Sequence, residues 1–199
     1  MTVATFPDGV ARCPWAASAP EFVAYHDDEW GRPVTDDVRL FEKLSLEAFQ
    51  SGLSWRTILA KRDAFRRAFD DFDFHVVAGY DESDVERLLG DSGIVRHRGK
   101  ITAVIGNARR AVELESEAGS LAAFLWRYEA APGEVDPPQS ASTSPTSVAL
   151  AKELKRRGWS FVGPMTAFAF MQATGLVNDH AEGCATRAQV AALRSGQAR

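Results

Sequence analysis

The chain has 199 residues, of which 45% are apolar and 25% are charged, and its formal net charge is −4. The length suits one compact domain with a sizeable core, and the composition excludes disordered and fibrous proteins. The net charge excludes a strongly basic coat for nucleic acid but leaves room for a local basic patch. No apolar run reaches the roughly 18 residues of a membrane span, and the start of the chain carries no secretory signal. We therefore predict a cytoplasmic monomer without a membrane partner.

Helical signals begin at Thr35. This residue can cap a helix whose first turn is acidic and whose apolar residues recur at helical spacing up to Ala48. After a break, Ser54 can cap a second helix over about 55–69. The spacing predicts further helices over 74–79, 82–90, 100–115, 120–129, 148–157 and 164–174.

These elements predict an all-α fold, a single domain of about eight helices. Residues 131–147 are rich in Pro, Ser and Thr and are predicted to form an exposed loop. We assign residues 1–11 to a flexible N-terminal lead, residues 12–187 to the helical domain, and residues 188–199 to a C-terminal tail.

Two cysteines and two histidines near the ends of the chain form a candidate metal site. Cys13 and His26 lie near one end, and His180 and Cys184 lie four residues apart near the other. Two His and two Cys suit a tetrahedral zinc ion, and four protein ligands would make the site structural. The alternative is two buried thiols and two hydrogen-bonded histidines, and the spacing alone does not decide between these interpretations.

Glu47 is an acidic residue on the apolar side of a predicted helix. It follows Leu40 by seven residues and Leu44 by three. A carboxylate at this position is costly unless it pairs with a cation or binds a ligand, and both possibilities stay open here. The aromatic residues near it suit either a core or a pocket that stacks on a planar ring. They are Trp15, Phe22, Tyr25, Trp30, Phe49 and Trp55.

A basic run over 152–157 precedes Gly158 and a short turn. Pro164 suits the first turn of the next helix, and a helix start exposes backbone N–H groups that bind phosphate. Two helices joined in this way could grip a DNA backbone. The alternative is a solvated basic face, and the same two interpretations apply to the basic cluster at 96–100.

Taken together, six segments of the chain resemble the DNA-3-methyladenine glycosylase I family of the helix-hairpin-helix superfamily. They are RCPW at 12–15, YHDDEWG at 25–31, LEAFQSGLSW at 46–55, GIVRHRGKI at 93–101, KRRGWSFVG at 155–163 and GLVNDH at 175–180. The resemblance implies an enzyme that flips a damaged nucleotide out of double-stranded DNA and hydrolyses the N-glycosidic bond of 3-methyladenine, the first step of base excision repair.

The resemblance also implies roles for individual residues. One structural zinc ion would be held by Cys13, His26, His180 and Cys184. Tyr25 and Glu47 would make polar contacts to the base, Trp55 would stack on it, and Trp15 and Trp30 would form the pocket walls. An anionic Glu47 and aromatic faces would favour the cationic methylated base over neutral adenine. The DNA-contacting residues would be Gly52, Leu53, Phe161, Val162 and Gly163.

The sequence departs from the superfamily at two places. Phe161 stands where the usual hairpin Leu-Pro-Gly-Val-Gly has its first glycine. Met165 occupies the place of the lysine that forms a Schiff base in lyase members, so we predict no lyase activity.

Asp179 lies near the place of the superfamily's water-activating aspartate and is our candidate general base. The alternative is that it orients His180 or caps a turn. The second candidate function is a zinc-stabilised DNA-binding module that recognises lesions without cutting.

Overall fold

The computed structural model describes residues 3–197 and is mostly helical. Its helices in that range are α1 (Glu21–Asp28), α2 (Asp37–Gln50), α3 (Trp55–Ala68), α4 (Phe74–Val77), α5 (Glu82–Gly90), α6 (Arg98–Ala118), α7 (Leu121–Leu125), α8 (Pro145–Arg156), α9 (Pro164–Thr174) and α10 (Ala185–Gln197). Short 3₁₀ turns lie at Pro14–Ser18, Asp70–Phe72 and Trp126–Tyr128. Two antiparallel strands, β1 (Ala4–Thr5) and β2 (Ala11–Arg12), pair near the N-terminus.

The structure corrects the predicted ends of the domain. The strand pair occupies residues 4–12, where a flexible lead and a wholly α-helical class were predicted. Helix α10 occupies most of the predicted tail, and α1 was also missed, so ten helices replace the predicted eight within residues 3–197. Helix α1 starts without a side-chain cap, with Pro20 before its first residue, so it lacks the usual start signal.

The caps of the central helices explain where they begin. Ser54 accepts the N–H of Thr57 and starts α3 as predicted. Asp36, rather than the predicted Thr35, caps α2 by accepting the N–H of Arg39 at 2.8 Å. The two residues are neighbours of the same capping type, so sequence alone places this start only to within one residue.

Helix α2 runs through the middle of the core. Residues 40–49 are all buried, and the helix packs against α9, α3, α6 and α7. A helix that is buried all round carries its polar residues into the interior. Glu42, Lys43 and Glu47 are therefore buried on α2.

Two glycines bring the ends of the chain together. Gly175 ends α9 with a φ of +79°, and a Cβ there would lie 2.7 Å from the carbonyl oxygen of Gly31. A Cβ at Gly31, also at φ +79°, would lie 2.9 Å from Nε2 of His180. Only glycine permits this crossing of the segments after α1 and α9. No helix in the described range is both long and apolar enough to span a membrane.

Candidate functional site

Four metal-binding side chains meet where the two ends of the chain cross. Cys13 precedes the first 3₁₀ turn, His26 lies in α1, and His180 and Cys184 precede α10. All four are buried, and their donor atoms lie within 4.8 Å of one another. Sγ of Cys184 is 3.5 Å from Nε2 of His26 and 3.6 Å from Nδ1 of His180, and Sγ of Cys13 is 3.6 Å from that same Nδ1. The four predicted ligands thus form one group that could hold a metal ion.

The second nitrogen of each histidine has a fixed partner. Nδ1 of His26 lies 2.7 Å from the Asp27 carboxylate, which also accepts hydrogen bonds from Nε and Nη2 of Arg12. Nε2 of His180 lies 3.1 Å from the backbone carbonyl oxygen of Trp30. Partners of this kind fix the ring orientation and the tautomer of metal-binding histidines. The donor set therefore fits a metal ion in orientation as well as in distance.

Aromatic rings extend from this cluster into the neighbouring interior. The ring of Trp30 lies 4.7 Å from that of His180, and Trp15 lies 5.0 Å from Trp30. Tyr25 and Trp55 lie 5.4 Å apart, centroid to centroid. The four predicted pocket aromatics therefore pack as one group beside the metal cluster.

Glu47 is a buried carboxyl without a partner. Its side chain is in α2 with 6% of its surface exposed, and within residues 3–197 no group donates a hydrogen bond to it or pairs with it. Burial raises the pKa of Glu47 to about 8, and the Lys43 ammonium one turn earlier partly opposes that rise. The free protein therefore holds Glu47 mostly protonated at neutral pH. Burial without a partner disfavours the charge, so the anionic form expected from the resemblance would need a positive charge close to it.

Two further polar groups belong to the aromatic residues Tyr25 and Trp55, whose rings pack together. Burial and the nearby carboxylates of Glu47 and Glu29 raise the pKa of Tyr25 well above its usual range, so its hydroxyl stays neutral. The buried indole N–H of Trp55 has no acceptor within the described residues. Buried polar atoms nearly always have partners, and those at a binding site find them in the ligand. The group is therefore suited to a planar ligand with polar edges.

The candidate DNA-contacting residues lie on two turns at the surface. Gly52 adopts a φ of +80° after α2, and Leu53 beside it is exposed. Phe161 is 40% exposed and adopts a φ of +57°, in the left-handed region where the superfamily pattern has glycine. Val162 is buried in the main core with 5% of its surface exposed, so it offers little surface to DNA, unlike its neighbour Phe161. Gly163 precedes the first residue of α9.

Helix α6 holds both turns. Lys100 is buried and donates to the carbonyl oxygens of Phe49 at 2.9 Å and Ser51 at 2.5 Å, at the end of α2. The side chain of Asn107 bonds both the N–H and the C=O of Ser160, at 2.8 and 3.0 Å. Lys100 was assigned to a basic cluster that binds DNA or faces solvent, but its ammonium is buried and bonded within the protein. It fixes the turn that carries Gly52 and Leu53.

Asp179 is bonded to the protein through both carboxylate oxygens. One accepts the backbone N–H of Gln139 at 2.7 Å, and the other accepts the side-chain amide of Gln172 at 2.6 Å. Neither partner belongs to the group around Glu47. These contacts anchor the loop before α8 to α9 and favour the structural alternative over a general base.

A family model described as methyladenine glycosylase matches residues 15–188 of the chain. The chain belongs to this family. It is 48% identical over 177 residues to DNA-3-methyladenine glycosylase 1 of Escherichia coli (strain K12), covering 87% of this chain and 95% of that protein. It is 40% identical to the Haemophilus influenzae DNA-3-methyladenine glycosylase over 177 residues, covering 87% and 96%.

Solved structures agree with the methyladenine glycosylase assignment. A crystal structure of 3-methyladenine DNA glycosylase I matches with a TM-score of 0.80 at 47% identity, covering 87% of this chain and 98% of that one. A structure that describes 3-methyladenine recognition by the Staphylococcus aureus enzyme matches with a TM-score of 0.80 at 34% identity, covering 88% and 96%.

The buried carboxyl of this methyladenine glycosylase family member predicts a pH-dependent stability. The pKa of Glu47 rises on folding from 4.5 to about 8, so the folded state binds more protons than the unfolded state between these values. The contribution to stability is fully present below pH 4.5 and is lost as the pH rises through 8. Glu47→Gln should therefore gain stability over wild type with rising pH, by on the order of 3 kcal/mol at pH 9.

Denaturant unfolding at pH 5, 7 and 9 measures this difference. Glu42→Gln is the matched control on the same helix, because the buried Glu42 carboxylate pairs with Arg39 and Arg66 at 2.5 and 2.8 Å. Glu42→Gln should therefore destabilise the protein at neutral pH, because it removes the negative partner of both arginines. Parallel pH profiles for wild type and Glu47→Gln would contradict the prediction.

Proposed function

We propose that this chain is a monofunctional DNA glycosylase that hydrolyses the N-glycosidic bond of 3-methyladenine in alkylated double-stranded DNA by base flipping, as the first step of base excision repair. The observation that carries the proposal is the unpartnered, buried Glu47 carboxyl near Tyr25, whose ring packs against Trp55. The names of relatives at 48% and 40% identity support the substrate.

Charge is the basis of the proposed selectivity. A 3-methylated adenine in DNA is cationic, and its entry would favour the ionised form of Glu47, which then releases its proton to solvent. Neutral adenine gives no such stabilisation. The electron-rich faces of Trp55 and Tyr25 also favour a cation. The pocket would therefore bind the lesion more strongly than the normal base.

The proposed reaction needs little activation of the leaving group. The glycosidic C–N bond breaks with its electron pair moving to the base, which neutralises the positive charge of the ring. Water adds to the sugar carbon and loses its proton to solvent. The released base is neutral, so its attraction to ionised Glu47 is lost after cleavage. Ionised Glu47 would therefore contribute binding and selectivity for the charged lesion, while the cationic ring itself supplies the good leaving group.

The two surface turns would hold the DNA. Leu53 would fill the gap left by the flipped nucleotide, and the turn between α8 and α9 would serve as the helix-hairpin-helix element, with its backbone N–H groups toward phosphate. The exposed Phe161 keeps a strained backbone conformation, which supports a functional role for this turn. Met165 is the second residue of α9, and its thioether cannot form a Schiff base, so we propose no lyase activity.

The metal ion would be zinc, held by Cys13, His26, His180 and Cys184. Tetrahedral zinc with bonds of about 2.3 Å to sulfur and about 2.0 Å to nitrogen places these atoms roughly 3.5 Å apart. The sulfur-to-nitrogen distances here are 3.5 and 3.6 Å. Four protein ligands leave no position for water, so the ion would stabilise the fold without taking part in hydrolysis.

Base release from methylated DNA tests the proposal. We expect purified protein to liberate 3-methyladenine, identified by chromatography and mass, and to leave the sugar–phosphate strand intact until alkali is added. Strand scission without alkali would contradict the absence of lyase activity. Tight binding to methylated DNA without any base release would instead favour a lesion-recognising binding module.

A further inference from the structure

A network of ionised side chains lies behind the pocket. The Glu29 carboxylate follows α1 and accepts the Lys43 ammonium at 2.6 Å and the Arg62 guanidinium at 2.6 Å, with Arg39 at 3.7 Å. Lys43 is the buried member, while both arginines are partly exposed. Burying an ammonium is expensive, and its salt bridge with Glu29 offsets only part of that loss. The location of Lys43 therefore calls for an explanation.

Lys43 lies between this network and the pocket. It precedes Glu47 by four residues on α2, so the two side chains share one face of the helix. Its Nζ atom lies 5.9 Å from the centre of the Tyr25 ring. Lys43 makes no direct ion pair with Glu47 within the described residues, because its ammonium is held by Glu29.

Few groups act on the charge of Glu47. Within residues 3–197, Lys43 is the charged group that opposes the effect of burial on its pKa. The titratable group facing it from α1 is the Tyr25 hydroxyl. Glu29 and Arg62, after α1 and on α3, act on Lys43 and Tyr25 rather than on Glu47 itself. Burial has the largest effect on the ionisation of Glu47, and among the charged groups of the described residues Lys43 is the one that opposes it.

We propose that Lys43 is a positioning residue whose buried ammonium, fixed by Glu29, supplies the counter-charge that allows Glu47 to ionise when a cationic base enters the pocket. This inference rests on the proposed function of the pocket. Because a salt bridge to Glu29 holds the ammonium back from Glu47, the Glu47 carboxylate stays free to face the ligand. Lys43 then sets the pH at which the pocket becomes selective for a cation.

The pH dependence of base release tests this role. In wild type, kcat/KM should rise with pH as Glu47 ionises. Lys43→Met should move the midpoint of that rise upward by roughly one pH unit, because an opposite charge at this range shifts a carboxyl pKa by about that amount. Lys43→Arg keeps the cation and should restore the wild-type midpoint. Arg67→Met, a charge-matched change at an exposed position of α3, should leave it unchanged.

A measurement without turnover separates this inference from the proposed function. Carbon-13 NMR of labelled glutamate carboxyls, with Glu47 assigned from the Glu47→Gln spectrum, follows the titration of Glu47 directly. Its midpoint should rise in Lys43→Met and stay at the wild-type value in Lys43→Arg, which keeps the cation. If no variant releases base, the proposed glycosylase function is wrong, but the NMR titration of Glu47 still tests the role of Lys43. An unchanged Glu47 midpoint in Lys43→Met, or equal loss of activity at every pH in both lysine variants, would overturn the inference.

Discussion

Removal of the metal ion is expected to destabilise this protein more than any single substitution described above. The ligands join residues 13 and 26 to residues 180 and 184, so the ion would tie the first helix to the last turn before α10. Structural zinc sites contribute about 10–16 kcal/mol of apparent binding free energy in small domains, against a typical total stability of about 5–15 kcal/mol. Without the ion, two buried thiols and two buried imidazoles would remain without their shared partner.

Calorimetry of the purified protein checks this expectation. A chelator should lower the melting temperature by at least about 10 °C, since 1 kcal/mol corresponds to roughly 2–4 °C for a domain of this size, and added zinc should restore it. Elemental analysis should find one zinc ion per chain, and Cys184→Ser should lose it. His75 is exposed, so His75→Ala should keep it. An unchanged melting curve, or protein free of zinc as purified, would contradict the assignment.

Loss of the ion should also disturb the proposed base pocket. Tyr25 precedes the ligand His26 in α1, and the carbonyl of Trp30 holds the ligand His180. Both aromatic residues belong to the group that includes the proposed base-stacking Trp55. Chelated protein should therefore lose base release before it loses the bulk of its helical signal, because the main core around α2 is separate from this cluster.

The sequence predicts best those features that depend on neighbouring residues. Ser54 is a local cap, and its helix begins where its residue type indicates. Helix α10 depends instead on distant contacts: Arg194 donates to the carbonyl oxygens of Ala130 and Leu176 and pairs with Glu129. No local pattern announces such contacts, so this segment was predicted to be a tail.

The same distinction between local patterns and distant contacts applies to the residues of the candidate site. The spacing of Glu47 from apolar residues on its helix predicts a buried carboxyl, and the two-His, two-Cys set predicts the metal cluster. Lys43 and Lys100 were missed because lysine is usually a surface residue. Their burial follows from partners elsewhere in the chain: the Glu29 carboxylate for one, and the carbonyls at the end of α2 for the other.

Glu47→Gln is expected to reduce kcat/KM for release of 3-methyladenine from methylated DNA by at least about 100-fold. The amide keeps the shape of the side chain but cannot ionise, and loss of one partner of a buried charge pair costs roughly 2–5 kcal/mol. Glu47→Ala should lose as much or more, since it also leaves a cavity. Glu113→Gln, an exposed change on α6, should retain the wild-type rate.

The rate and the stability of Glu47→Gln should move in opposite directions. If the Glu47 carboxyl served packing alone, Glu47→Gln would raise the stability at alkaline pH and leave base release unchanged. If the carboxyl binds the ligand, the same substitution should raise the alkaline stability and also reduce base release. Burial opposes the charge of Glu47 in the free protein, and the cationic base stabilises that charge in the complex. Near wild-type release by Glu47→Gln would therefore remove Glu47 from the base pocket, whatever its effect on stability.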